Sequence, residues 1–251
     1  MNCLLNLWRQ LCDRLHVAAS PDIRFVAKHV RADITFPVQA ARTVKAEWLR
    51  SQYANPPVKL AHCPGMWDYL QAGYIISAWC DIHIKANKQG VSVRMEGVNT
   101  MDAIKAVPMN FALVDGMAPI KDSVKRVVLK IPVPYSIMAK RGISAQILPA
   151  VMHSPFLDKL FVYPGEVVYD KFDTVNFIFS PLEECEFVIR AGTPLLQVIP
   201  FRRHNFTAEC GAPTERENAV ANYRFASHMA GFYRRMFHST KKYSMVVRTD
   251  K

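Results

Sequence analysis

Five residues in two short segments hold what metal chemistry this chain could support: His62 and Cys63 in one, Cys80, Asp81 and His83 in the other. Imidazole and thiolate are proper zinc ligands. A carboxylate with two histidines also suits an iron site, with His153 or His204 as the distant second histidine. Spacing works against both, because no pair has finger-like separation. On a strand, Cys80 and His83 point to opposite faces while Asp81 and His83 share one. The same residues read more readily as a buried Cys80 beside a solvated Asp81/His83 face, since isolated His and Cys at such spacings are far more often structural. His62, Asp81 and His83 remain the metal candidates, and no cofactor is expected.

A second group, Asp170, Asp173 and Asn176, lies in VVYDKFDTVNF. Carboxylates next to a β turn can bind a metal or a sugar hydroxyl, or act as a general base. They also terminate hairpins, with Asp and Asn side chains bonding local amides. Trp67, Tyr69, Tyr74 and Trp79 could stack on a ligand, but beside an apolar strand they read as core. No GxSxG elbow, P-loop or GxGxxG fingerprint is present, which argues against a serine hydrolase and the usual nucleotide-driven phosphoryl transfer.

The 251 residues carry a net charge of +11, an excess that attracts nucleic acid, acidic membranes or acidic proteins. It is spread along the chain: ten Lys or Arg face four acids from Phe201 onward, and eight face four in the first fifty residues. The candidate contact residues are Arg202, Arg203, Arg234, Arg235, Lys241 and Lys242. Six cysteines without a CxxC pair suit buried reduced thiols and a cytosolic site of synthesis. No apolar run is long enough to span a membrane, and Arg9, Asp13 and Arg14 interrupt the start, so neither a transmembrane helix nor a secretory signal is expected.

The elements that would position these residues are mostly strands. Leu4, Trp8, Leu11 and Leu15 predict an amphipathic N-terminal helix within 1–19. Arg31–Val44 reads as extended and edge-like, Tyr53–Val58 as a loop, and Met66–Ala72 as a short helix stopped by Gly73. Ile82 and Ile84 alternate with polar residues, and Gly90–Met95 returns after a turn at Asn87–Gly90. Met101–Val114 is ambiguous. Val124–Pro134 predicts a strand whose two prolines confine it to an edge or end it, and Tyr135–Met138 pairs with Ile143–Leu148 across Lys140-Arg141-Gly142 as a hairpin. Strands follow over Phe156–Val168, Phe172–Ser180, Glu186–Ile189 and Leu195–Phe201. Within Phe187–Arg203, Gly192 and Pro194 make a corner, Pro200 ends the second run, and an exposed basic pair closes it. Pro213-Thr214-x-x-Glu217 is a capping box opening an amphipathic helix to about His238, followed by the basic tail Lys241-Lys242-Tyr243. Short strands at near-regular intervals predict a mainly β (α+β) fold: one β-rich domain, an antiparallel sandwich or barrel over 60–210, with an N-terminal helix and a long C-terminal helix and tail over 214–251.

Four segments, IISAWCDIHI, YPGEVVYDKFDTVNF, GTPLLQVIPFRR and YRRMFHSTKKY, resemble in order an uncharacterised family of tailed-bacteriophage and bacterial proteins. The likeness spans roughly Leu60 to Tyr243 and implies a phage-like origin, not a reaction. The corner is also similar to the dUTPase-like barrel, in which a strand, a Gly turn (here Ala191-Gly192-Thr193) and a strand with a glutamine (here Gln197) close the fold. That family's uracil-binding and magnesium-binding motifs are not visible, so this likeness implies β topology.

The resulting expectation is a non-enzymatic bacteriophage structural or assembly protein. Its β-rich scaffold would bind other phage or host proteins, itself in a homo-oligomer, and nucleic acid or an acidic surface through the basic tail. No membrane partner is expected, and the place is the host cytoplasm or the virion. The alternative is a metal-assisted or nucleotide-directed enzyme on a dUTPase-like barrel, built around His62, His83 and Asp81 or around Asp170 and Asp173.

Overall fold

The computed structural model describes residues 21–28, 36–44, 64–96, 107–109, 124 and 127–228. The expected N-terminal helix, the Tyr53–Val58 loop, His62, Cys63 and the tail with Arg234, Arg235, Lys241 and Lys242 lie outside the described residues. In chain order the elements are β1 (Ile23–Ala27), β2 (Gln39–Ala40), a 3-10 turn (Ala41–Thr43), α1 (Pro64–Gln71), β3 (Tyr74–Ser77), β4 (Ile82–Asn87) and β5 (Gly90–Met95). They continue with β6 (Val107–Met109), β7 (Val128–Ala139), β8 (Ile143–Pro149), β9 (Leu160–Val162) and β10 (Gly165–Val167). The last are β11 (Thr174–Pro181), β12 (Cys185–Ile189), β13 (Pro194–Arg202) and α2 (Glu215–His228). The fold is mainly β, with two short helices among the described residues.

Every pairing among the described residues is antiparallel. One sheet runs β1-β7-β11-β9 with β6 also on β7, a second runs β10-β8-β13-β3-β2, and a third runs β12-β4-β5. Alternating side chains from all three converge on one core, including Ile82, Ile84, Ile131, Phe177, Phe179, Leu195 and Val198. Phe177 is fully buried, edge-on to Phe156 at 6.0 Å and tilted against Phe179 at 4.8 Å. Each such side chain contributes about 1.5–3 kcal/mol by leaving water.

The second and third sheets share one folded ribbon. β4 pairs with β12 from Ala86↔Cys185 to Ile82↔Ile189, and the same register continues through Ser77↔Pro194 before one residue is gained ahead of Leu196↔Ile76. Between the two stretches the ribbon turns a corner. Ala78 N–H donates to Thr193 O at 2.8 Å, and Gly192 N–H donates to Ala78 O at 2.8 Å. Gly192 has φ +85, and a Cβ there would lie 2.9 Å from the Phe36 ring, so conformation and space both call for glycine.

The prolines act differently from the sequence expectation. β7 is a central strand, not an edge, although it holds Pro132 and Pro134. On one side β11 pairs along it; on the other, β6 pairs over 128–130 and β1 over 135–139. Ile137 N–H donates toward the β11 side, to Asp173 O, whereas Pro134 O accepts from Lys28 N–H on the β1 side. Alternation then turns the donor-less nitrogens of Pro132 and Pro134 toward the stretch where no described strand pairs. Pro200 likewise does not end its run, since β13 continues to Arg202. Arg203 N–H donates to Gly142 O on the β8 side, so Pro200 faces the other way, beyond the start of β3 at Tyr74.

The hairpin expected across Lys140-Arg141-Gly142 is also corrected. β7 and β8 are joined by that turn but lie in different sheets, because β1 and β11 already occupy both edges of β7 there. The β4–β5 hairpin is as expected, with Asn87 Oδ1 accepting from Gln89 and Gly90 N–H at 2.9 and 3.1 Å. The strand expected from Phe156 begins at Leu160, after a series of turns. Within Arg31–Val44, the described residues from Phe36 hold the two-residue edge strand β2 followed by the 3-10 turn; residues 31–35 lie outside the described residues.

α1 is fastened to β13 by a residue of the corner motif. Gln197 is fully buried, and its Nε2 donates to Tyr69 O and Ala72 O, both at 2.7 Å. These carbonyls belong to the helix end, where intrahelical donors run out. Gly73 ends the helix at φ +71, and a Cβ there would sit 2.0 Å from Val198 O.

Candidate functional site

β13 delivers the basic pair Arg202 and Arg203, and the two side chains fare differently. Arg202 is 72% exposed, 3.7 Å from Asp22, which also takes Lys140 at 3.1 Å. Arg203 is not an exposed free cation. Its guanidinium donates to the Asp170 carboxylate at 2.5 Å, to Ser144 Oγ at 2.9 Å and to Ile143 O at 3.2 Å. Gly142 N–H donates to the same Asp170 oxygen at 2.8 Å. The Asp170 side chain is only 8% exposed, so this charge-assisted set ties the end of β13 to the β7–β8 turn and the loop before β11. The Arg203 hydrogen bond, helped by the Gly142 N–H, outweighs desolvation and holds the Asp170 carboxyl down at about 2.

From this latch the chain leaves the body. Past Arg203, every residue from His204 to Tyr223 is exposed. Phe206, 81% exposed, meets only the His204 ring among described aromatic contacts, at 3.8 Å between centroids. The arm then opens α2 through the expected capping box. Glu217 N–H donates to Thr214 Oγ1 at 3.3 Å, and Thr214 N–H donates to Glu217 Oε2 at 2.7 Å. The helix is described to His228, short of the expected His238.

The metal candidates are split between structural partners. Asp81 sits at the corner, where one oxygen accepts Ala191 N–H at 2.8 Å and the other the Arg190 guanidinium at 2.6 Å. The Ala191 amide first, and Arg190 with it, holds this carboxyl below its ordinary value. His83 Nε2 lies 2.8 Å from Glu96 Oε1, which also takes Arg94 at 3.1 Å. Burial pushes the Cys80 thiol up to about 11, so it is a protonated core group at neutral pH. Among the described residues no three His, Cys, Asp or Glu gather as a metal set. Cys185 is half-buried and Cys210 exposed, so the expectation of buried thiols holds for Cys80 alone of these three.

The second carboxylate group is also dispersed. Asp170 belongs to the latch, while Asp173 accepts from Ser136 Oγ at 2.9 Å and Thr174 Oγ1 at 3.2 Å. Of the four aromatics, Tyr74 is buried against Phe25 with centroids 5.0 Å apart and Trp79 packs against the central cluster, while Trp67 and Tyr69 are half-buried on α1. Sequence reasoning missed the Asp170–Arg203 pairing, since nothing local links residues 33 apart. It also missed the exposure of Met138 and Phe172, which a β pattern does not flag.

No protein-family model and no curated protein matches the chain. Among the described residues no helix is long and apolar enough to cross a membrane.

Proposed function

We propose that this protein is a non-enzymatic bacteriophage structural or assembly component: a β-sandwich body that joins copies of itself, and other phage or host proteins, through its C-terminal arm. The observation that carries this reading is the arm itself. A helix of 14 residues is marginal in water by itself. This one has a built cap, yet its described side chains through Tyr223 remain exposed, and its root is latched by Arg203. A preformed, solvated helix on a fixed root is suited to docking on a neighbour, and the basic residues Arg234, Arg235, Lys241 and Lys242 further along would meet an acidic face. The likeness of four segments to the phage family supports the origin. The host cytoplasm and the virion are where such a component would act.

The catalytic alternative is less well supported, because Asp81, Asp170 and Asp173 each hold a structural partner. Mass photometry of the full chain tests the proposal. It predicts particles of several copies, reduced to monomers by reversing Arg234, Arg235, Lys241 and Lys242 to Glu with an unchanged melting temperature. A parent chain that is monomeric at every concentration, or assembly indifferent to the reversal, would overturn it.

A further inference from the structure

Met138 and Phe172 are the large apolar side chains that the described body leaves exposed before the arm begins, at 57% and 56%. Both lie where the start of β11 meets the end of β7. Thr174 pairs with Ser136, and Ile137 N–H reaches Asp173 O, so the loop residue Phe172, just before β11, comes next to the end of β7 that carries Met138. On the other side of Met138, directly opposite in the register, stands Arg24. Arg24 and Met138 therefore form a cross-strand pair on the outer face of the first sheet, about 5 Å apart, with Phe172 exposed on the loop beside them.

Cations surround these residues. Lys171 precedes Phe172, Lys140 and Arg141 form the turn just beyond Met138, and Arg202 reaches the same Asp22 as Lys140. Arg24, Arg141 and Lys171 are exposed and make no ion pair among the described residues. Of the carboxylates nearby, Asp22 is paired with Lys140 and Arg202 and Asp170 with Arg203, whereas Asp173, held by the Ser136 and Thr174 hydroxyls, keeps its negative charge beside Phe172 and offsets part of the field. Glu166 lies near Arg203 and also offsets part of it. An exposed thioether on the sheet and an exposed ring on the adjoining loop, flanked by cations without carboxylate partners, are the parts of a stacking platform with a phosphate track.

We propose that this face binds single-stranded nucleic acid. A base stacks on Phe172 beside Met138, while Arg24, Arg141 and Lys171 meet phosphates on either side. A duplex keeps its bases paired and stacked, so only its backbone would engage, and the strand should be preferred. The site lies on the body and stands independently of arm-mediated assembly: a chain that never assembles can still bind a strand here, and the reverse.

Fluorescence anisotropy with the full chain and a labelled thymidine oligonucleotide of about twenty bases tests this directly. The expected result is salt-sensitive binding, tighter for the single strand than for a duplex of equal length. Phe172→Ser should weaken it about ten-fold with the salt dependence intact. Arg141→Glu with Lys171→Glu should weaken it and lower the logarithmic salt slope by about 1–2. Circular dichroism melts of the variants, unchanged from the parent, would exclude unfolding as the cause. No binding at low salt, equal affinity for duplex with no effect of Phe172→Ser, or displacement of the strand by polyglutamate as readily as by unlabelled strand would each overturn the proposal. The last of these would point to an acidic protein instead.

Discussion

Replacing Gln197 by Met keeps the length and burial of the side chain and removes both donors. In the native protein that amide serves Tyr69 O and Ala72 O at 2.7 Å from a fully buried position. Tyr69 O keeps a second donor, the Ala72 N–H at 3.1 Å, so its loss is about 1 kcal/mol. Ala72 O has no other described donor, and leaving it unpaired costs about 1–3 kcal/mol. The sum is about 2–4 kcal/mol, a large share of a typical domain stability of about 5–15 kcal/mol. Gln197→Glu should cost more, since it aims a carboxylate at two carbonyl oxygens. Urea denaturation followed by tryptophan fluorescence should show the midpoint falling in the order parent, Met, Glu with the slope unchanged. Native-state hydrogen exchange should show the Pro64–Gln71 helix losing protection first. If Gln197→Met matches the parent to within about 0.5 kcal/mol, the glutamine does not fasten α1 to β13 and the reasoning is wrong.

Gly73→Ala should destabilise by about 3 kcal/mol or more, because it adds left-handed backbone strain to a Cβ placed 2.0 Å from Val198 O; a smaller loss in urea titration would contradict the close packing. The Asp170 carboxyl, held at about 2 against an ordinary value near 3.9, stabilises the fold fully above about pH 4 and loses that contribution as pH falls toward 2. The parent should therefore lose stability across that window more steeply than Asp170→Asn, and parallel curves would remove the latch. Thr214→Ala should cost the α2 start about 1 kcal/mol, read as faster exchange of the Glu217 and Asn218 amides with the body unaffected.

Local grammar made the ribbon corner, the Asn87 turn, the Gly73 stop and the Thr214 cap legible, because each depends on backbone preferences within a few residues. Strand partners were less legible. Lys140-Arg141-Gly142 carries a sound turn signal, but whether the flanking strands pair depends on which edges are already taken, here by β1 and β11. Pro132 and Pro134 read as edge markers; they sit in a central strand because they coincide with a gap between two partners on one side. The site suffered most. Arg203 looked like a solvated cation because its counter-ion, Asp170, comes from a different loop, and Asp170 looked like a possible catalytic acid for the same reason. Phe172 and Met138 carry a surface role that no spacing rule distinguishes from core.

Cross-linking with mass spectrometry on an equal mixture of unlabelled and nitrogen-15-labelled full-length chain tests the assembly role most directly. The account predicts mixed-isotope cross-links joining arm residues 204–228 of one copy to the body of another, lost when Arg234, Arg235, Lys241 and Lys242 are reversed. Arm cross-links confined to single-isotope pairs, with the arm always on its own body, would contradict it.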